Sequence, residues 1–419
     1  MALSRLNRRM FMGSAAVLSG CVDEADIDDE RPPGSGGAGG SGGEGGGAPV
    51  ETCDDPFAGG QLLEELVFTY DGGQPIQVPF NTKLRQGWDA RLYTDLAQID
   101  QGQTVTPTEF YYIRTEFPDG IDTAQDPTWA DTWSIDVSGL ATPRSLTVAD
   151  LAPLSVDQGV HVMECSGNGG GGGFGLMSAA SWAGAPFEAV MDLLDVDAAA
   201  TRVRIGGFDE HSTPSIGGHS TPGAAWIFTF QELVEARAFF ALEMNGAPLN
   251  EDHGRPVRLY VPNWYGCTCI KWVNEIEFVD DDAPATSQMQ EFASRTHQNG
   301  VPSLARDYRP ASMDQAAMPV RVERWLVDGE VVHRVVGIMW GGYALSGDRL
   351  AVSFGDDVFE PVTVCPAQTT NRTWTLWEHV WRPTAPGRYV VRMAIDDPAV
   401  PTYRLDRDWY AREVNVTEV

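Results

Sequence analysis

Short apolar runs separated by glycine turns fill the C-terminal part of the chain, and they constrain its fold strongly. From Met318 onward the runs are rich in β-branched and aromatic residues. They span 321–327, 331–339, 348–354, 374–381 and 388–395. This spacing is typical of an all-β sandwich of roughly 100 residues, which we assign to residues 317–419.

The preceding region, residues 57–283, has a mixed pattern. Strands are predicted at 107–114, 132–137, 159–163, 203–208 and 257–262, and short helices at 147–154 and 185–194. Mixed short helices and strands with long loops indicate an α+β domain. Residues 284–316 are polar with little periodicity, and we interpret them as a connecting segment.

The first 56 residues predict export rather than a folded domain. Arg8 and Arg9 resemble a twin-arginine signal, and the apolar stretch 13–19 is too short to cross a bilayer. Leu18-Ser-Gly-Cys21 resembles a bacterial lipobox, so residues 1–21 are interpreted as the signal and Cys21 as the lipidation site. An ordinary cleaved signal is the alternative. Residues 22–56, acidic and then almost entirely glycine, predict a disordered tether. We therefore expect a periplasmic or cell-surface lipoprotein that contacts the membrane only through its lipid anchor.

The formal net charge of −30 narrows the possible partners. Such a charge argues against nucleic acid and against electrostatic binding to anionic lipid, and it favours a basic protein partner.

Six cysteines are present. Cys21 is assigned to lipid, and the exported location permits disulfides among Cys53, Cys267, Cys269 and Cys365, whose pairing the sequence leaves open. Cys267 and Cys269 are separated by one residue of a predicted strand, so we expect both to point to the same face. No Cys-x-x-Cys-His motif occurs, so the sequence predicts no c-type haem.

Cys165 carries the strongest chemical signal. It follows the predicted strand 159–163 and precedes a glycine-rich turn, a placement that exposes a thiolate where a ligand can approach the backbone closely. A buried structural cysteine is the alternative. Farther along, His253 and Arg258 combine an imidazole with a guanidinium, which suits a phosphorylated heterocycle. Lys271 lies between apolar residues, where an inward lysine needs a partner.

Taken together, these segments resemble the sulfite oxidase family of molybdenum enzymes over roughly residues 80–417. The matching motifs are Tyr112-Ile-Arg-Thr-Glu116, Glu164-Cys-Ser-Gly-Asn168, Phe208-Asp209, Asp252-His-Gly-Arg-Pro-Val-Arg258 and Cys269-Ile-Lys-Trp272. The resemblance implies that Cys165 binds molybdenum and that Arg114 reaches the reaction pocket. It further implies that a single pterin cofactor is held by Tyr112, Ile113, Arg114, Thr115, Glu116, Asp209, His253, Arg258, Cys269, Ile270 and Lys271. It also implies that the last domain is an immunoglobulin-like dimerisation sandwich and that the protein is a homodimer.

The implied activity is a two-electron oxygen-atom transfer to sulfite or a related sulfur compound. Electrons would leave to an external carrier such as a basic c-type cytochrome, which the acidic surface would attract. Two departures from the family pattern concern the substrate. Glycines 169–173 stand where many sulfite oxidases have arginine, and the stretch 290–297 lacks the family's tyrosine. Arg114 is then the one secure cation of the pocket, with Arg295 or His297 as possible replacements for the missing groups. A related oxotransferase or reductase for a neutral substrate such as a sulfoxide is one alternative, and a non-catalytic cofactor-binding surface lipoprotein is the other.

Overall fold

The computed structural model describes residues 55–70, 72–76, 78–121, 123, 126, 128–194, 196, 200–209, 211, 223–298, 300–342, 349–355, 358–364 and 372–419. The predicted signal with Cys21, the tether up to residue 54, Cys53 and Cys365 lie outside these residues.

Two five-stranded sheets organise the first part of the chain. One has the order β11-β10-β15-β6-β7, with β15 and β6 parallel, and the other has the order β13-β12-β9-β8, with β14 also pairing with β12. A two-stranded sheet pairs β4 with β5. The strands are β4 Arg91–Leu92, β5 Ile113–Arg114, β6 Ser134–Ser138, β7 Arg144–Thr147, β8 Val156–Glu164, β9 Met177–Pro186, β10 Arg202–Gly207, β11 Ala225–Thr229, β12 Phe239–Met244, β13 Ala247–Pro248, β14 Arg258–Tyr260 and β15 Val273–Val279.

Helices in the described residues are few and short. Phe187, Val190 and Leu194 are buried along one face of the longest α-helix, as an amphipathic helix packed on a core requires. The α-helices are α1 Val148–Leu151, α2 Phe187–Leu194, α3 Phe230–Glu235 and α4 Ser287–Glu291. Short 3-10 helices span Gly87–Asp89, Leu96–Gln98, Thr108–Phe110, Ala152–Leu154, Gly170–Gly172, Glu251–His253, Gly266–Thr268, Ala293–Thr296, Ala305–Asp307 and Leu405–Arg407. Among the described residues, no helix has both the length and the apolar character that crossing a membrane needs.

Two antiparallel sheets make up the C-terminal part. Their orders are β1-β16-β17-β20 and β19-β18-β21-β22-β2-β3, and β16 contacts β21 between them. The strands are β1 Gln61–Leu66, β2 Phe68–Tyr70, β3 Gln74–Pro75, β16 Ala316–Val327, β17 Glu330–Trp340, β18 Leu350–Phe354, β19 Glu360–Pro361, β20 Thr375–Trp381, β21 Gly387–Ile395 and β22 Arg412–Val416. The strand-rich character expected here is present, and the immunoglobulin-like topology stays a prediction.

The N-terminal strands belong to these C-terminal sheets. β1 pairs with β16 and β2 pairs with β22, although the sequence placed residues 57–283 together. The buried apolar residues of both parts form one continuous cluster that includes Trp182 and Trp340. The two parts therefore share a core, and the ends of their strands meet around the loop that carries Cys165.

Three local predictions are wrong. Residues 107–114 form a 3-10 turn, Thr108–Phe110, and only the two-residue strand β5, because Pro107 precedes the turn and supplies no backbone N–H for a ladder. Cys267 lies within the 3-10 helix Gly266–Thr268 and Cys269 caps its C-terminal end, so the two do not lie on a strand. The predicted helix 185–194 begins only at Phe187, since Ala185 and Pro186 still belong to β9.

Candidate cofactor and active site

One cavity of about 130 Å³ brings together most of the residues singled out in the sequence. Its lining includes Tyr112, Arg114, Thr115, Cys165, Asp209, His253, Arg258, Cys269, Ile270 and Lys271. Two predicted residues do not line it. The buried Ile113 pairs with Leu92 across β4 and β5, while Glu116 forms an ion pair of 2.7 Å with Lys83 and accepts from the amide of Gly87 at 2.5 Å. They support the wall of the cavity from behind.

Cys165 lies at the tip of a tight turn after β8. Its amide donates to the carbonyl of Leu176 at 2.9 Å, and its carbonyl accepts from the amide of Asn168 at 3.0 Å. Asn168 closes the loop because its Oδ1 accepts from the amide of Leu176 at 3.1 Å. Cys165 is not part of a disulfide, and the residue is only 8% exposed. The sulfur therefore sits on a loop whose backbone is fixed on both sides.

The glycine run after Asn168 is packed rather than open. A Cβ at Gly172 would lie 2.4 Å from the ring of Tyr93, and one at Gly173 would lie 2.6 Å from the ring of Phe80. Gly173 also has a φ of 59°, a conformation that glycine adopts without strain. The absence of side chains allows the residues around Phe80 and Tyr93 to cover the Cys165 loop closely.

His253 and Arg258 hold the far wall together. His253 donates from Nε2 to the carbonyl of Thr108 at 3.1 Å, and burial lowers its pKa to about 3, so the imidazole is neutral. Arg258 donates to the carbonyl of His253 at 3.1 Å and to the carbonyl of Cys269 at 3.0 Å. Its guanidinium lies over the Trp182 ring at 5.6 Å. The arginine thus joins three chain segments with a single planar fork.

Lys271 ties the Arg114 segment to Asp252. Its ammonium donates to the carbonyls of Thr115 at 2.5 Å, Asp252 at 3.0 Å and Arg114 at 3.4 Å. Burial lowers the pKa of Lys271, and burial raises the pKa of the nearby Asp209. Thr115 has a φ of 76°, which is strained for a β-branched residue, and strain of this kind concentrates at functional sites.

Several buried polar atoms around this cavity have no hydrogen-bond partner among the described residues. They include Nε of Arg258 and the hydroxyl of Tyr111 on the lining, and Oδ1 of Asp209, which lies 3.9 Å from the equally unpartnered Nε2 of His211. Buried polar atoms are almost always satisfied in native proteins, so unpartnered ones mark a place where a ligand contributes donors and acceptors. The mixture of guanidinium, phenol and carboxylate fits a polar heterocycle that carries a phosphate.

Arg91, which sequence reasoning missed, and Arg295, which it considered, both lie next to residues of the lining. Arg91 is the direct neighbour of Arg114 across β4 and β5, so the two side chains share a face. Burial, and to a smaller extent the positive charge of Arg114, lowers the pKa of Arg91 to about 10. Arg295 donates from Nε to the carbonyl of Ser166 at 2.6 Å. Neither Arg91 nor Arg295 is among the described residues that line the cavity, so the role of Arg114 as the one secure cation for the substrate stays a prediction. His297, also considered, lies 2.8 Å from Asp314 and stacks on Tyr403.

The lining of the cavity contains further residues that no motif indicated. α4 contributes Gln288 and Glu291 to the lining, and Phe292 follows directly. Gln288 donates to the carbonyl of Cys267, which fixes this wall. Both Cys267 and Cys269 line the cavity as free thiols, and burial raises the pKa of each, that of Cys267 to about 12. They are therefore protonated thiols here and not half-cystines.

Comparison with known proteins agrees with this geometry. Residues 122–287 match the oxidoreductase molybdopterin binding domain. Sulfite oxidase of Arabidopsis thaliana is 26% identical over 266 residues, which are 58% of this chain and 64% of the relative. Mitochondrial sulfite oxidase of Homo sapiens is 24% identical over 320 residues, 70% of this chain and 56% of the relative. The chain spans 34% to 64% of the length of the first curated relatives it matches.

A solved structure shows the same fold. The sulfane dehydrogenase SoxCD from Paracoccus pantotrophus superposes with a TM-score of 0.60 at 15% identity, over 84% of this chain and 91% of that one. Residues 122–287 thus match a molybdopterin-binding oxidoreductase domain, and the chain shares the fold of the solved structure. In sequence the chain is similar to sulfite oxidases, and in fold it is similar to a sulfane dehydrogenase.

Proposed function

We propose that this protein is a molybdenum-dependent oxidoreductase that transfers an oxygen atom to sulfite or to a related sulfur compound. The observation that carries the proposal is that the Cys165 thiol, the Arg114 guanidinium and the wall formed by His253, Arg258 and Lys271 line the same cavity. When bound, a molybdenum-pterin cofactor supplies two-electron oxygen-atom transfer. The relatives named above are sulfite oxidases, which supports a sulfur substrate.

The residues present divide into holding and positioning roles. Cys165 is the metal ligand, since a soft thiolate on a fixed loop suits a metal beside a dithiolene. Arg258, Lys271 and the neutral His253 bind and orient the pterin and its phosphate, with Tyr112, Thr115, Asp209, Cys269 and Ile270 completing the wall. Arg114, with Arg91 beside it, attracts an anionic substrate.

A less charged substrate is the second candidate. Glu291 places a carboxylate on the lining, and a carboxylate repels a dianion such as sulfite. The name of the solved neighbour, a sulfane dehydrogenase, supports sulfur compounds other than sulfite. The close packing of the glycine run after Asn168 speaks against the non-catalytic alternative, because a close-packed loop beside Cys165 supports a built pocket.

We further propose the setting in which the enzyme works. The lipobox at Cys21 and the arginines 8 and 9 support export as a lipid-anchored protein facing the periplasm or the cell surface. The net charge of −30 supports a basic one-electron acceptor such as a c-type cytochrome, whose binding would weaken with salt. The C-terminal sheets are the proposed homodimer contact.

Metal analysis and a substrate panel test the proposal. Purified protein should contain about one molybdenum and one pterin per chain, and Cys165→Ser should abolish turnover. Sulfite and neutral sulfur compounds are then assayed with an artificial one-electron acceptor. Active protein without metal, or full activity in Cys165→Ser, would show that the assignment is wrong, while activity on neutral compounds alone would favour the second candidate.

A further inference from the structure

Glu164, the residue directly before Cys165, is completely buried and fully bonded. Its Oε1 accepts from the hydroxyl of Tyr410 at 2.9 Å and from Nδ2 of Asn168 at 3.3 Å, and it lies 3.5 Å from Nη1 of Arg404. Its Oε2 accepts from Nε1 of Trp340 at 2.9 Å. A carboxylate buried among so many donors is held in one position.

Three of these partners come from the C-terminal part of the chain. Trp340 ends β17, while Arg404 and Tyr410 flank the short helix Leu405–Arg407. Arg404 also donates from Nη2 to the carbonyl of Ser166 at 3.3 Å. Both neighbours of Cys165 are therefore held from the C-terminal part, Glu164 by its side chain and Ser166 by its carbonyl.

Arg404 is itself fixed in place. Its guanidinium lies 5.0 Å from the ring of Tyr265 and 5.3 Å from that of Trp409. Although burial opposes its charge, Tyr265, Tyr410 and Glu164 raise the pKa of Arg404 above its usual range. The guanidinium thus keeps its charge and is held in one position away from solvent.

Fold stability alone does not call for such a network. Replacing a buried ion pair by well-packed apolar residues is often neutral or stabilising, whereas a polar network specifies one geometry. The network contacts Glu164 and Ser166, the two residues that flank Cys165 at the cavity. The geometry it specifies is the direction of the Cys165 side chain.

We propose that Glu164 is a positioning residue for the metal ligand, and that Trp340, Arg404 and Tyr410 make the C-terminal sheets part of the cofactor site. The inference rests on the proposed role of Cys165 as a molybdenum ligand. Removing outer partners of a metal ligand typically lowers metal affinity about 10- to 100-fold.

Glu164→Gln provides the main test because it keeps the size and removes one acceptor. The amide of the new glutamine can take two orientations, and in each its NH₂ group faces a hydrogen-bond donor. In one orientation the donor is Trp340, and in the other the donors are Asn168 and Arg404. We expect molybdenum affinity to fall about 10- to 100-fold. We also expect the Mo(V) electron paramagnetic resonance g-values of the retained metal to shift, because the sulfur changes direction. Adding Trp340→Phe removes one conflicting donor, so the double variant should regain wild-type g-values in part.

Glu378→Gln is the matched control. Glu378 pairs with Arg334 at 2.6 Å within the C-terminal sheet and does not touch the Cys165 loop, so this variant should keep the metal and the spectrum. If Glu164→Gln fails to fold, Tyr410→Phe, which keeps the carboxylate, should show the same shift in smaller degree. The rate of Cys165 alkylation in cofactor-free protein should rise in the same variants.

The outcomes separate the two proposals. Wild-type protein without molybdenum, or Cys165→Ser with the wild-type spectrum, overturns the assigned function and the inference with it. In the other outcome the wild-type protein contains molybdenum, and Glu164→Gln and Tyr410→Phe keep its metal content and its g-values. That result overturns the inference but leaves the proposed function standing.

Discussion

Replacing Arg114 by methionine is the sharpest test of whether the substrate is an anion. Nη1 of Arg114 donates to the carbonyl of Trp88 at 2.9 Å and to Oγ1 of Thr115 at 3.2 Å, which presents the guanidinium from β5 toward the cavity. Methionine keeps most of the apolar stem and removes the charge. The structural disturbance is then the same for every substrate, while the loss of charge matters only for an anion.

The magnitude follows from one charge-assisted hydrogen bond. Such a bond contributes about 1.5–3 kcal/mol, so kcat/KM for sulfite should fall roughly 10- to 150-fold in Arg114→Met. The loss should be incomplete because Arg91 lies directly across the β4–β5 pair. Arg91→Met with Arg114→Met should lower kcat/KM again by a factor within the same range.

Steady-state kinetics on sulfite with an artificial acceptor, and on a neutral sulfoxide with a reduced dye, measure the effect. The ratio of the loss in kcat/KM for sulfite to the loss in kcat/KM for the sulfoxide measures the effect of the charge alone. Arg144→Met, an arginine on β7 that donates to the carbonyl of Leu193, is the control and should change neither rate. Equal losses on both compounds would refute the reasoning. A wild-type enzyme that ignores millimolar sulfite and reacts with a neutral compound would establish the second candidate.

Three further perturbations test separate parts of the structure. Burial lowers the pKa of His253 from 6.5 to about 3, so between these pH values the unfolded chain binds more protons than the folded chain. The free energy of unfolding therefore falls as the pH falls through this window. His253→Gln should flatten this part of the curve of melting temperature against pH. Gly172→Ala should destabilise the protein by about 1–3 kcal/mol in thermal unfolding, since its Cβ would meet the Tyr93 ring at 2.4 Å, whereas Gly169→Ala, with its nearest contact at 3.6 Å, should not. Cys21→Ala should release the protein from membranes in cell fractionation, and unchanged attachment would contradict the lipid anchor.

The sequence predicted the chemistry of the site better than its surroundings. Cys165, His253, Arg258 and Lys271 lie in short runs whose residue types are unusual together, so a single pass along the chain finds them. The cavity lining confirms that these segments meet. Their individual ligand roles stay predictions.

The missed contacts share a physical cause, which is sequence separation. Tyr410 and Glu164 are 246 residues apart, and Trp340 and Glu164 are 176 apart. Neither residue of such a pair carries a local pattern that indicates the other. The same holds for β1, whose partner strand β16 begins 250 residues later. Arg91 was missed because the two-residue pairing of β4 with β5 is too short to produce any alternation.

The unpartnered polar atoms of the cavity link cofactor binding to stability. Nε of Arg258, the Tyr111 hydroxyl and Oδ1 of Asp209 are buried at a cost that a polar ligand would offset. A ligand that binds only the folded chain stabilises it further by mass action. The loaded protein should therefore be the more stable form. The proposed twin-arginine route, which carries folded proteins, would then export the chain after its cavity has been filled.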